Sequence, residues 1–124
     1  MKIVPKKWGR EEWIVNNDLY CLKFLYVNAG WRCSIHYHKE KDETFYFDRG
    51  LIYLELMGEK KIMRPGDIQR IIPYQKHRFT GLVLESRIIE VSTHHEDSDS
   101  YREEDGREIN LDELIKELKE EIFL

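Results

Sequence analysis

His36 and His38 are separated by one residue, Glu43 follows them closely, and His77 returns later in the chain. Side chains at i and i+2 on a β-strand share a face, so the two neighbouring imidazoles point the same way, as two ligands of one metal ion must. Glu43 begins the next apolar run and can bring a carboxylate to the same point. With His77 the set is three imidazoles and one carboxylate, which suits manganese, iron, zinc, nickel or cobalt and excludes calcium, whose ligands are oxygens. These residue types do not choose among those metals. The alternative is a metal-free barrel that uses the histidines as hydrogen-bonding polar groups.

Short runs rich in Ile, Val, Tyr, Phe and Leu recur before Thr93: Leu19 to Val27, Cys33 to His38, Thr44 to Phe47, Leu51 to Met57, Ile68 to Ile72 and Leu82 to Val91. Between them lie turn-forming stretches such as Asn28-Ala29-Gly30, Asp48-Arg49-Gly50 and Pro65-Gly66-Asp67. This is the pattern of an all-β sandwich or barrel. The segment from His94 to Gly106 is too polar to bury much, and Asp97, Asp99 and Glu103 lack the spacing of a cation-binding loop. His94 and His95 are read as exposed loop residues. After them Leu111, Leu114, Ile115, Leu118 and Ile122 recur at helical spacing, with Asn110 as N-cap and Asp112 and Glu113 in the first turn. A barrel over residues 1–106 and an amphipathic helix within 107–124, packed on the barrel or on a second copy, follow from this pattern.

The chain has 124 residues, 41% of them hydrophobic, with 20 basic and 24 acidic side chains. That bounds it to one small globular domain. The acidic stretch from Glu96 to Leu124 holds twelve acids and four bases, which leaves the remainder mildly basic. No continuous Lys/Arg stripe is present, which argues against nucleic acid as a partner. No apolar run is long enough for a membrane helix, and the start has no apolar leader. Cys21 and Cys33 form no disulfide framework, so reduced thiols in a cytoplasmic protein are expected.

Gly30, His36, His38, Glu43 and Gly50 fit every interval of G-x5-H-x-H-x4-E-x6-G, the first motif of the cupin superfamily, which the sequence therefore resembles. The second motif, G-x5-P-x-G-x2-H-x3-N, is met at Gly66 and His77. Ile72, Tyr74 and Gly81 replace its Pro, inner Gly and Asn. Because φ > 0 is unfavourable for a bulky residue, Tyr74 predicts a differently shaped turn, with Pro73 shifting the bend. The resemblance implies a cupin-type double-stranded β-helix, a jelly-roll barrel, holding one divalent transition metal on His36, His38, Glu43 and His77. It also favours a homodimer.

A narrower resemblance, from Lys7 to Gly106, is to the cupin domain of type II mannose-6-phosphate isomerases and related sugar-isomerase cupins. Lys7-Trp8-Gly9, Gly30-Trp31-Arg32-Cys33-Ser34, Lys76-His77-Arg78-Phe79, Glu90-Val91 and Tyr101-Arg102 carry it. It implies a metal-dependent isomerase or epimerase acting on a sugar or sugar phosphate. A binding module without turnover and an iron-dependent dioxygenase are the alternatives on the same ligands.

If His36 and His38 face inward, strict alternation sends Ser34 and Arg32 inward too, and Trp31, Cys33, Ile35 and Tyr37 outward to be covered by other elements or by another subunit. Arg32 and Ser34 are accordingly candidate contacts of a small anionic or sugar-like ligand, and Arg70, at a position often aromatic in cupins, is a third. Lys76 and Arg78 are expected on a solvated rim. Glu90, flanked by apolar residues, is the candidate general base, or else an outward charge paired with Arg87 or Arg70. Tyr46, Tyr53 and Tyr74 are further possible pocket hydroxyls, or packing aromatics.

Overall fold

A computed structural model describes residues 1–121. The chain runs through β1 (Lys2–Lys6), β2 (Gly9–Asn16), β3 (Cys21–Val27), β4 (Trp31–Arg32), β5 (Ile35–His38), β6 (Glu43–Arg49) and β7 (Ile52–Leu56). It continues through β8 (Glu59–Met63), β9 (Ile68–Ile71), β10 (His77–Gly81), β11 (Ser86–Ser92), β12 (Ser100–Glu104) and β13 (Arg107–Glu108) to one helix, α1 (Leu111–Glu121). One sheet has the order β1-β2-β3-β11-β6-β9. In the other, β10 pairs with β7 on one side and with β4 and β5, end to end, on the other. There β8 extends β7, β12 extends β5 and β13 extends β4. Strands distant in sequence thus lie side by side in two antiparallel sheets, a jelly-roll barrel with a C-terminal helix, as the pattern of runs and turns predicts.

Alternation along the strands decides what the barrel encloses. On β3, Cys21, Lys23, Leu25 and Val27 are buried, and the residues between them are partly exposed. Ile88 on β11 stands between Leu25 and Phe47, forming an apolar row. One step along, Glu90 stands between Lys23 and Phe45, and one further step places Ser92 between Cys21 and Glu43. The interior therefore passes from an apolar end, which supplies the stability, to a polar end, which holds the chemistry. Gly50 closes the turn before β7 at φ 81°, where a Cβ would lie 2.6 Å from the Ser86 Cα, so both backbone and space require glycine.

Among the strands that the pattern does not predict are β10 and β12, whose burial does not alternate. All five residues of β10 are buried, and β12 is charged and mostly exposed. The latter is a strand because its backbone pairs with β5, which no hydrophobic period records. The helix begins as expected, with the Asn110 side-chain oxygen accepting from the Glu113 N–H at 3.1 Å. Its Leu118 is buried against Tyr53 and Leu82, with Leu111 and Leu114 alongside, so α1 packs on its own barrel. Ile122 lies outside the described residues. Among the described residues no helix is long and apolar enough to cross a membrane. Both cysteines are buried free thiols, and burial pushes Cys33 up to about 12.

Candidate metal centre

β5 delivers His36 and His38, β10 delivers His77 directly opposite His36, and β6 opens on Glu43. One ring nitrogen from each histidine lies within 4.8 Å of the others. The remaining nitrogens are fixed from behind: Nδ1 of His36 lies 2.9 Å from the Ser34 carbonyl, that of His77 2.9 Å from the Gln75 carbonyl, and that of His38 3.1 Å from the Asp99 carbonyl. A carbonyl only accepts, so each neutral ring carries its proton on Nδ1 and aims a bare Nε2 lone pair into the barrel.

Glu43 Oε1 lies 3.1 Å from His77 Nε2 and 3.8 Å from His38 Nε2. Both Glu43 oxygens and His77 Nε2 are buried without a well-formed hydrogen bond. Lys41 Nζ is 3.0 Å from Glu43 Oε2, but its hydrogen bond goes to Glu90. Buried acceptors converging on one point without a donor are costly unless a cation joins them. The donor set, imidazole nitrogens and one carboxylate, fits a divalent transition metal.

Burial pushes the His38 imidazole down to about 4, with Lys41 adding to the effect, and burial holds His36 well below its ordinary value. Burial alone would raise the Glu43 carboxyl, yet the Lys41 ammonium keeps it well below the usual carboxylate range. His36 and His38 are therefore neutral when folded and gain protons on unfolding, so metal-free protein loses stability as pH falls from about 6.5 towards 4. For His38 alone the loss is on the order of 3 kcal/mol. Urea unfolding of chelator-treated protein at steps across that window will show the denaturation midpoint dropping; a flat midpoint would contradict neutral buried imidazoles.

Beside the histidines runs a buried ionic network that the sequence reading does not anticipate. Lys41 Nζ donates to Glu90 at 2.9 Å and lies 3.1 Å from His95 Nδ1, and His95 Nε2 lies 2.9 Å from Asp97. Lys23 is fully buried, 3.5 Å from Glu11 and 4.2 Å above the Trp13 ring. Asp99 holds the loop carrying Lys41 by accepting the backbone N–H groups of Lys39, Glu40 and Lys41 at 2.9 to 3.1 Å. Lys23, Lys41, Glu90 and His95 line, with His36, His38 and Glu43, a cavity of about 60 Å³, room for roughly two waters.

Solved structures share this architecture at low sequence identity. KdgF from Halomonas sp. is 21% identical, with a TM-score of 0.68 over 72% of this chain and 81% of its own. An RmlC-like cupin from Shewanella frigidimarina is 14% identical, with a TM-score of 0.71 over 78% and 86%. The fold is the cupin fold. Oxalate decarboxylase from Bacillus subtilis is 15% identical, with a TM-score of 0.71 over 82% of this chain, which spans 29% of that longer protein. No protein-family model and no curated protein sequence matches the chain, so the likeness is one of structure.

Within this cupin barrel Glu90 faces inward and lines the cavity, as does Ser34. Glu90 pairs with Lys41, and Arg87 instead binds Asp48 and Arg70 binds Asp42. Its apolar chain neighbours Ile89 and Val91 are less buried and lie on the other side of the strand, so the surroundings of its carboxylate are ionic.

Arg32 and Arg70 do not reach the site. Arg32 and His36 are four positions apart while their partners on β10, Thr80 and His77, are three apart. That extra residue is a bulge at Cys33-Ser34, which reverses the alternation. Arg32 consequently turns to the outer face and binds Glu104, and Cys33 enters the core. Arg70 lies on the outer face of β9, opposite Thr44 and largely exposed. Tyr37 is covered by the chain itself, stacking on Tyr101 and Tyr74 with ring centroids at 5.2 and 6.3 Å.

Other expectations are corrected likewise. His95 is buried rather than exposed, and Arg78 is not a solvated rim residue but clamps Glu55 at 2.7 and 2.9 Å. Tyr74 does adopt the glycine-like conformation, at φ 72°, with no shifted bend at Pro73. Its N–H donates to the His38 carbonyl at 2.7 Å, which with the stacking offsets a left-handed cost of about 1–2 kcal/mol. Tyr46, Tyr53 and Tyr74 all lie outside the histidine cavity.

Besides Lys23 and Lys41, the basic residues that line the cavity are Lys6 and Arg102. Arg102 pairs with His36 across β12 and β5, so the two share a face. Lys6 and Arg102 both also line two neighbouring grooves. The Tyr101-Arg102 segment is visible in the sequence, but its place beside His36 depends on a pairing between strands far apart in the chain.

Proposed function

We propose that this protein is a metal-dependent cupin acting on the anionic end of a small sugar-type molecule, as an isomerase or epimerase. The observation that carries the reading is the convergence of three histidine Nε2 atoms and the Glu43 Oε1, which accepts no hydrogen bond, beside a cavity that Lys6 and Arg102 also line. His36, His38, His77 and Glu43 would hold the metal. A divalent transition metal in that set supplies Lewis acidity to a carbonyl or hydroxyl oxygen.

The chain's own residues divide the remaining tasks. The cavity admits only a few atoms, so the reacting end enters and the rest of the molecule lies in the grooves. Lys6 and Arg102 at the mouth take its anionic group, Arg102 being without an ion pair among the described residues. Ser34 lines the passage between them. Glu90 carries the proton between adjacent carbons and Lys41 holds its carboxylate in place, a transfer that consumes no oxidant. Unlike molecules are handled on this architecture, among them the oxalate of oxalate decarboxylase and the uridine solved with Streptomyces PAC13, so the reading rests on residues rather than on fold.

Proton NMR of aldoses and their phosphates in deuterium oxide, with protein loaded separately with manganese, iron, zinc or nickel, tests it. Metal-dependent deuterium uptake at C2 is expected, falling by at least about a hundredfold in Glu90→Gln. No uptake with any metal, at confirmed occupancy, refutes the isomerase reading and turns attention to oxygen uptake or binding without turnover.

A further inference from the structure

On the outer side of the second sheet, beneath α1, lies a cleft of about 390 Å³ that does not belong to the histidine cavity. Its size is that of sites that take small molecules. Its floor is a row of directly paired residues: Arg107 opposite Arg32, Arg32 opposite Thr80, and Thr80 opposite Tyr53. Like charges directly opposite each other across a strand pair are destabilising. Arg32 binds Glu104 through one terminal nitrogen only, and its Nε is buried with no partner. Arg107 has no ion pair among the described residues, its one side-chain hydrogen bond going to the Glu108 carbonyl.

The roof repeats the pattern with opposite sign. Glu113 and Glu117 line the cleft from α1 at i and i+4, a spacing at which like charges repel. Neither makes an ion pair among the described residues, and among them no salt bridge joins Glu113 or Glu117 to Arg32 or Arg107. The other charges in the cleft are already matched, Arg78 by Glu55 and Lys60 by Glu121. What remains is a cationic pair, of which Arg32 is held by Glu104 through one terminal nitrogen and Arg107 by no acid among the described residues, facing an anionic pair with no ion-pair partner among them.

We infer that this cleft is a second ligand site, which takes a small zwitterion with its carboxylate on Arg32 and Arg107 and its ammonium on Glu113 and Glu117. Tyr53 and Leu114 flank the intervening chain. One such molecule relieves both repulsions and satisfies the Arg32 Nε, which a simple anion or cation cannot do.

Calorimetric titration of the full chain with β-alanine, γ-aminobutyrate and 6-aminohexanoate, which spread the same two charges progressively, tests the site. Saturable binding of at least one is expected, weakened about tenfold in both Arg107→Gln and Glu117→Gln and unchanged in Arg102→Gln. Both substituted residues are exposed, so the variants retain the fold, which circular dichroism checks. The proposal is overturned if none of the three binds saturably, if succinate binds as tightly as they do, or if Arg102→Gln is the variant that loses binding.

Discussion

Replacing His36 with alanine will lower the affinity for a divalent transition metal by at least about a hundredfold while the barrel stays folded. Loss of a residue that merely supports a ligand costs 10- to about 100-fold, so loss of a ligand lies at or beyond the upper end of that range. Three Nε2 lone pairs meet at the site, each pre-set by a carbonyl behind Nδ1, and removing one leaves an incomplete set that the other two cannot re-form. The fold should survive because β5 keeps its main-chain pairing with β10 and β12, neither of which uses the imidazole. Metal content by plasma mass spectrometry after dialysis, alongside far-ultraviolet circular dichroism, reads both quantities. Undiminished occupancy in a folded His36→Ala protein would falsify the metal assignment.

Lys41→Met should destabilise the protein by about 3–5 kcal/mol, the range for breaking a buried ion pair from one side. Lys41 is buried between Glu43 and Glu90, and its ammonium is the cation that those two carboxylates share. Methionine nearly matches the stem in volume, so packing changes little and the loss measures uncompensated charge. Urea denaturation gives the difference directly. Adding Glu90→Gln should recover part of the stability, because one of the stranded charges is then gone. A Lys41→Met protein as stable as its parent, or one not improved by the second change, would mean that Lys41 does not neutralise this pair.

Much of the site was legible in the sequence because its defining relation is local. The interval between His36 and His38 is a statement about one strand, and period two alone puts both on one face. The turn residues and the recurring apolar runs announced a β barrel, and the Asn110 cap announced the helix, for the same reason: each concerns residues within a few positions of one another. Gly50 belongs here as well, since its left-handed turn is a local demand, although the Ser86 backbone that excludes a Cβ comes from elsewhere.

Arg32 shows where local reasoning stops. Period two carries a prediction along a strand until a bulge intervenes, and nothing in Cys33-Ser34 announces one; it is visible only as four residues on one strand set against three on its partner. That shift moved Arg32 out of the metal cavity and onto the back of the sheet. The partners of Glu90 were equally hidden, because Lys41 sits 49 positions away and reaches it through a loop held by Asp99. Arg102 entered the site through the pairing of β12 with β5, in a segment whose composition reads as solvated. The sequence by itself determined which side chains could bind a metal and that a β barrel would carry them, because residue type and strand period are properties of neighbours in the chain. Only the tertiary structure decided which charges face the metal site and which face away, because that depends on register between strands, and a slip of one residue reverses every side chain beyond it.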